Sequence, residues 1–119
     1  MLNDMNSLIL EGKIAEKPEF DQRFRVVNFH IAVSRFYKGL DGKPQEEIFY
    51  FEAEAYGSFA DLISRHEAGD KLRIVGKLRQ KRWENDDGKT CSSVVITVDH
   101  AEFKPKPELK KKPETKEMF

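Results

Sequence analysis

Along most of this chain apolar and polar residues alternate with a period of two, the pattern of strands that bury one face. Leu8, Ile9, Leu10 and Ile14 around Gly12 predict a first strand, with the glycine marking a bend or bulge and Pro18 closing the segment. Val27, Phe29, Ile31 and Val33 alternate with Asn28, His30, Ala32 and Ser34 in a second strand. Asp41-Gly42 signals a turn, and Pro44 is expected to keep the connection out of regular pairing until Ile48 opens the third strand. In that strand Phe49, Phe51, Ala53 and Ala55 share one face, and Tyr50, Glu52, Glu54 and Tyr56 share the other.

After Gly57 the period changes. Phe59, Leu62 and Ile63 recur at helical spacing, with Ser58 as N-cap, Asp61 three residues on and Gly69 as the stop. Period two then returns: Leu72, Ile74, Gly76 and Leu78 face inward, and Lys71, Arg73, Val75, Lys77, Arg79, Lys81 and Trp83 face outward. Asp87-Gly88 predicts a hairpin turn, and Val94, Ile96 and Val98 belong to a fifth strand ending near Phe103. Three strands, a short helix and two further strands is the order of an all-β, five-stranded OB-fold barrel, with the helix between the third and fourth strands. No internal repeat interrupts this order.

Composition adds a boundary. At 119 residues the chain has room for one domain with a modest core. Residues 104–119 hold six lysines, three prolines and few large apolar side chains, which predicts a disordered lysine-rich tail after a domain of residues 1–103. Of the 21 basic and 21 acidic side chains, six and three lie in that tail, so the body carries 15 basic against 18 acidic groups. A nucleic-acid partner must then be argued from where the body's cations sit rather than from net charge. The N-terminus lacks a signal-peptide pattern and no long apolar run is present, so a cytoplasmic location without membrane contact is expected.

Little in the chain points to catalysis. No Gly-rich phosphate loop, HExxH or CxxC occurs; His30, His66 and His100 are scattered over strand, helix and strand end, with His30 read as a polar-face or interface residue. Glu46-Glu47 and Asp86-Asp87 lie at turn edges, and the lone Cys91 has neither ligand nor base beside it, so neither enzyme activity nor a cofactor is expected. The outward row of the fourth strand is different. Lys77, Arg79, Lys81 and Trp83 at steps of two, beside Tyr50 and Tyr56, combine stacking rings with cations for a phosphate backbone, the chemistry of single-strand binding. Tyr37 adds a ring at the end of the second strand, and Arg73 continues the basic row.

On these residues the chain resembles the bacterial single-stranded DNA-binding proteins. The resemblance is carried by Met5-Asn6-Ser7-Leu8-Ile9-Leu10-Glu11-Gly12-Lys13-Ile14 with Lys17-Pro18-Glu19, by Val27-Asn28-Phe29-His30-Ile31-Ala32-Val33-Ser34, and by Tyr56-Gly57. It continues through residues 60–63, Gly69-Asp70 and Val75-Gly76-Lys77-Leu78-Arg79 to Trp83, covering roughly residues 5–103. It implies that bases stack at Tyr37, Tyr50, Tyr56 and Trp83. It also implies homotetramers that wrap single-stranded DNA in replication, recombination and repair, nucleoid-associated and without catalysis. The alternatives are a primosome accessory protein of the same fold, or a structural interaction module working through protein contacts. Two departures stand out. The family's acidic tip is missing: Met118 and Phe119 offer an end for replication and repair proteins, but lysines precede them. Glu52 and Glu54 lie between the two tyrosines, where they are expected to pair across the sheet with Lys77 or Arg79.

Overall fold

The computed structural model describes residues 2–105, so the expected tail beyond Pro105, with Met118 and Phe119, lies outside the described residues. Its elements are β1 (Leu8–Ile14), β2 (Glu19–Asp21), β3 (Val26–Lys38), β4 (Pro44–Tyr56), α1 (Gly57–Ser64), β5 (Lys71–Glu84) and β6 (Thr90–Phe103). The strands run in the order β1-β5-β6-β4-β3-β2, and a β1–β3 pairing closes the sheet on itself. The closed part has the five strands and single helix that the alternation predicts. The short β2, which pairs with β3 from Glu19↔Asn28 to Asp21↔Val26, is an addition.

Closure explains the two glycines inside strands. A Cβ on Gly12 would sit 2.3 Å from the Ala32 carbonyl oxygen, and one on Gly76 would sit 2.4 Å from that of Thr97. Only a bare backbone permits these approaches. Gly12 lies where β1 leaves β5 for β3, which it meets at Lys13↔Ala32 and Ile14↔Ile31. Beside Gly76 the register to β6 slips by one residue, so that Val75 faces His100 and Gly76 faces Val98. The bulge leaves Asp99 unmatched and reverses the parity of β6, turning Ala101 inward after Val98.

The core holds Phe29 and Ile31 of β3, Leu72 and Ile74 of β5 and Ile96 of β6, plugged by Ala60 and Ile63 of α1. Burying each large side chain contributes about 1.5–3 kcal/mol. The helix differs from expectation at both ends. Its N-cap is Tyr56, in extended backbone and without a side-chain cap bond; Asp61 pairs instead with Arg25. It ends at Ser64, and Gly69 belongs to the following loop, where its amide donates to the Ile14 carbonyl at 2.8 Å. His66 thus lies past the helix, stacked on Phe103 with ring centroids 3.4 Å apart.

Both long hairpins, β3–β4 and β5–β6, run on past the core. Pairing extends to Lys38↔Pro44 and Glu84↔Thr90, so Pro44 opens its strand rather than delaying it. A proline is tolerated there because the first position of a strand need not donate. The same overrun exposes residues of inward parity: Leu78 is 51% exposed, and Phe49 and Phe51 are half-exposed with rings 6.4 Å apart. Alternation places them correctly on the inner face, but the barrel interior has ended before they are reached.

Candidate nucleic-acid interface

The outer face of β4 carries Tyr50, Glu52, Glu54 and Tyr56, as alternation predicts. Beside it on β3 stand Ala32, His30, Asn28 and Val26, their partners in register. Strand β5 presents Lys77, Arg79, Lys81 and Trp83 on the same outer surface, but β4 and β5 are not neighbours. β6 lies between them, parallel to β4 at Ala53↔Ile96 and Glu54↔Thr97 and antiparallel to β5. Its outer residues Thr97, Val95 and Ser93 are short, and long side chains from β5 bridge the roughly 10 Å of two strand spacings above them.

Glu54 is where the bridges meet. Its carboxylate is 3% exposed although its parity is outward. Oxygen Oε2 accepts from Arg79 Nε at 3.0 Å and Nη2 at 2.5 Å, and from the Tyr56 hydroxyl at 3.2 Å. Lys81 Nζ lies 3.6 Å from both Glu54 and Glu52. The expected pairing across the sheet is therefore present for Arg79, joined by Lys81, whereas Lys77 turns to Asp99 of the bulge at 3.5 Å. Val95 is fully buried yet stands outside the core cluster, opposite Arg79 in register.

Two groups titrate away from their ordinary values here. Burial pushes the Tyr56 phenol up, and the adjacent Glu54 charge adds to it. The hydrogen bond that it donates to Glu54 raises the Arg79 guanidinium, so it remains a cation under all ordinary conditions. Beside this network a depression of about 310 Å³ is lined by Glu16, Glu19, His30, Glu52 and Lys81. His30 Nδ1 lies 2.7 Å from Glu16 in its wall. Three of its lining side chains are carboxylates against one lysine, so this flank is acidic.

The sequence-nominated residues divide into three groups. Tyr56, Arg79 and Lys81 come together around Glu54, with Lys77 one step along β5 and Tyr50 on the same face of β4 about 13 Å from Glu54. Trp83 continues their row about 13 Å beyond Arg79, 49% exposed and opposite Cys91 on the β5–β6 hairpin. Arg73 and Tyr37 fall elsewhere. Arg73 sits 3.6 Å from Glu11 at the β1–β5 seam. Tyr37 lies on the other face of the β3–β4 hairpin from Tyr50, with the Arg35 guanidinium 4.5 Å from its ring centre. On the Tyr50 side the exposed ring is Phe36, which sequence reasoning passed over; it continues the outward set Asn28, His30, Ala32 and Ser34. Among the described residues no cluster of His, Cys, Asp and Glu is built to hold a metal ion, and no helix is long and apolar enough to cross a membrane.

Comparison with known proteins places this surface in context. Residues 5–104 match the family described as the single-strand binding protein family. The single-stranded DNA-binding protein of Aquifex aeolicus is 38% identical over 76 residues, 63% of this chain and 51% of that protein. Single-stranded DNA-binding protein 1 of Chlorobaculum tepidum is 32% identical over 104 residues, 82% of this chain and 64% of that protein. The chain thus spans about half to two thirds of the length of these two relatives. Among solved structures, a Plasmodium falciparum SSB in complex with ssDNA superposes with a TM-score of 0.76 at 16% identity, covering 88% of this chain and 99% of that one. The small single-stranded DNA-binding protein of Streptomyces coelicolor gives 0.68 at 20% identity, over 87% and 96%. At these identities the structural likeness speaks for the barrel alone, and the match over residues 5–104 speaks for descent: the chain belongs to the single-strand binding protein family.

Proposed function

We propose that the chain binds single-stranded DNA without sequence preference and protects it during replication, recombination and repair. The observation that carries this reading is the outer face itself, where Tyr50 and Tyr56 of β4 and Trp83 of β5 expose rings on the same surface as Arg79 and Lys81. Each stacked base contributes about 1–3 kcal/mol whatever its identity, because every base has a π-face. The cations follow the backbone but are already matched to carboxylates, so stacking supplies more of the affinity here than phosphate attraction does. Tyr37 and Arg73 join as outlying contacts. The function is one of binding, with no reaction and no cofactor, in the cytoplasm on nucleoid DNA. Residues 1–103 form the binding domain, and in the segment that follows it Met118 and Phe119 are the contact for replication and repair proteins.

Assembly as a homotetramer fits two features of the barrel. Residues 8–12 of β1 are paired on the β5 side, whereas β3 joins only at Lys13, which leaves an open strand edge. Phe49, Phe51, Leu78 and Val94 expose apolar surface at the end of the barrel. Native mass spectrometry is expected to find four chains, and a monomer at micromolar concentration would contradict this assembly. The binding reading is tested by fluorescence anisotropy with labelled single strands of dT, dC and mixed sequence against a duplex. Similar affinities for the single strands and much weaker duplex binding are expected. Equal binding of duplex, or none at all, would return the chain to a module that works through protein contacts.

A further inference from the structure

On the flank of Tyr50 away from Trp83, the registers set four outward residues side by side on four adjoining strands. Tyr50 of β4 faces Ala32 of β3, Ala32 faces Lys13 of β1, and Lys13 faces Lys71 of β5. Neighbouring strands are about 4.8 Å apart, so Lys13 lies roughly 10 Å from the Tyr50 backbone across Ala32, whose methyl does not fill the gap. The result is a depression of about 280 Å³ with Ala32 and Ser34 among its lining residues, Lys13 and Lys71 from the β1–β5 side, and Phe36 and Glu46 from the hairpin side. Phe36 is 74% exposed. An outward phenylalanine on a strand, beside a pocket continuous with a stacking surface, is an uncovered apolar group in search of a flat partner.

We propose that this depression is a second nucleotide station, in which Phe36 stacks a base of the strand leaving Tyr50 while Lys13 and Lys71 take its phosphate. The proposal rests on the reading of the Tyr50 face as the single-strand surface. Charge sets the orientation of the nucleotide. Lys13 makes no ion pair among the described residues. Glu11, also in the lining, is engaged by Lys104 at 2.6 Å and Arg73 at 3.6 Å. Glu46 stands opposite Phe36 in register, on the hairpin side. The backbone therefore runs along the lysines and the base leans on Phe36, with the Glu46 carboxylate next to base edges rather than phosphate. The same geometry suits a nucleotide better than a second copy of the chain, because the depression beside the ring is lined by Lys13, Lys71 and Glu46 where a protein contact would need apolar neighbours.

The test uses the full chain, oligo-dT of increasing length, and the fluorescence of Trp83 as an independent report on the main surface. Phe36→Ala should weaken binding of long oligonucleotides roughly 5- to 150-fold, the range for one lost stack, and shorten the occluded site, while Trp83 quenching at saturation is unchanged. Phe36→Tyr should restore both. Lys13→Gln should lower the slope of log K against log salt by about 0.7, one single-strand phosphate contact. Wild-type affinity and site size in Phe36→Ala, with Trp83 still quenched, would overturn the station and leave the main surface standing. Absence of quenching in the wild-type chain would remove the main surface and the station with it. A changed oligomeric mass of Phe36→Ala in native mass spectrometry, with DNA affinity intact, would overturn the station in favour of a contact between copies.

Discussion

Arg79 donates from both Nε and Nη2 to a single oxygen of Glu54, at 3.0 and 2.5 Å. The same oxygen accepts the Tyr56 hydroxyl at 3.2 Å, so one buried carboxylate orients a cation and a ring of the proposed binding face together. Glu54→Gln keeps the shape and removes the charge. If Glu54 positions Arg79 and Tyr56, the variant should bind oligo-dT no tighter than wild type and should melt lower by on the order of 5–10 °C. Calorimetry and anisotropy together check this. Tighter binding would mean that Glu54 acts only as a repelling charge near phosphate.

Tyr56 carries the second expectation, because burial and the Glu54 charge hold its phenol above the ordinary value near 10. A raised value means that the folded protein retains the proton longer than the unfolded chain does. Its contribution to stability is complete below pH 10 and is lost as pH rises through the folded value. Ultraviolet titration repeated on Tyr56→Phe should lose a step that lies above pH 10. Loss of a step at or below pH 10 would contradict the network.

At the opposite end of the scale, the hydrogen bond from Lys104 holds the Glu11 carboxyl below its ordinary value, assisted by Arg73. Here the sign reverses: the contribution is present above the unfolded value of about 4.5 and fades as pH falls through the lower folded one. Glu11→Gln should flatten the acid limb of a stability-against-pH curve by lowering its neutral plateau, with little change at the acid end. An unchanged acid limb would argue that the Glu11–Lys104 contact at 2.6 Å is a surface encounter without consequence.

Barrel closure gives a prediction free of electrostatics. A methyl at Gly76 would meet the Thr97 carbonyl at 2.4 Å, and one at Gly12 would meet that of Ala32 at 2.3 Å. Either alanine variant should cost about 1–3 kcal/mol or more in urea unfolding, since backbone and not a flexible side chain must move. Losses below about 0.5 kcal/mol would mean that the strands cross more loosely than described.

Much of this architecture was legible in the alternation. Val27, Phe29 and Ile31, and Leu72 and Ile74, are buried where period two places them, and Asp41-Gly42 and Asp87-Gly88 lie in the hairpin turns. What alternation cannot convey is closure. Nothing local says that β6 inserts between β4 and β5, or that Arg79 and Lys81 reach back over Val95 to bury Glu54. Nor does it tell how far a hairpin outruns its core, which is why Leu78 and Phe49 have inward parity and open surroundings. The ring on the Tyr50 side was within reach, since Phe36 follows Asn28, His30, Ala32 and Ser34 in one outward series; Tyr37, the ring expected at the end of that strand, is one residue along and on the opposite face.

Trp83 is the single tryptophan of the chain, and it stands on the outer row about 13 Å past Arg79. Its replacement by alanine should weaken binding of dT, dC and mixed strands alike, by about 1–3 kcal/mol. A loss confined to one base would show reading rather than stacking.

The most direct measurement of the central claim is the intrinsic fluorescence of Trp83 during titration with oligo-dT at a series of salt concentrations. Stacking on the outer face predicts saturable quenching, with an affinity that falls as salt rises but retains a substantial part at high salt, because the cations of this face already have carboxylate partners. Fluorescence that stays constant while DNA is added, at any salt, would contradict the account.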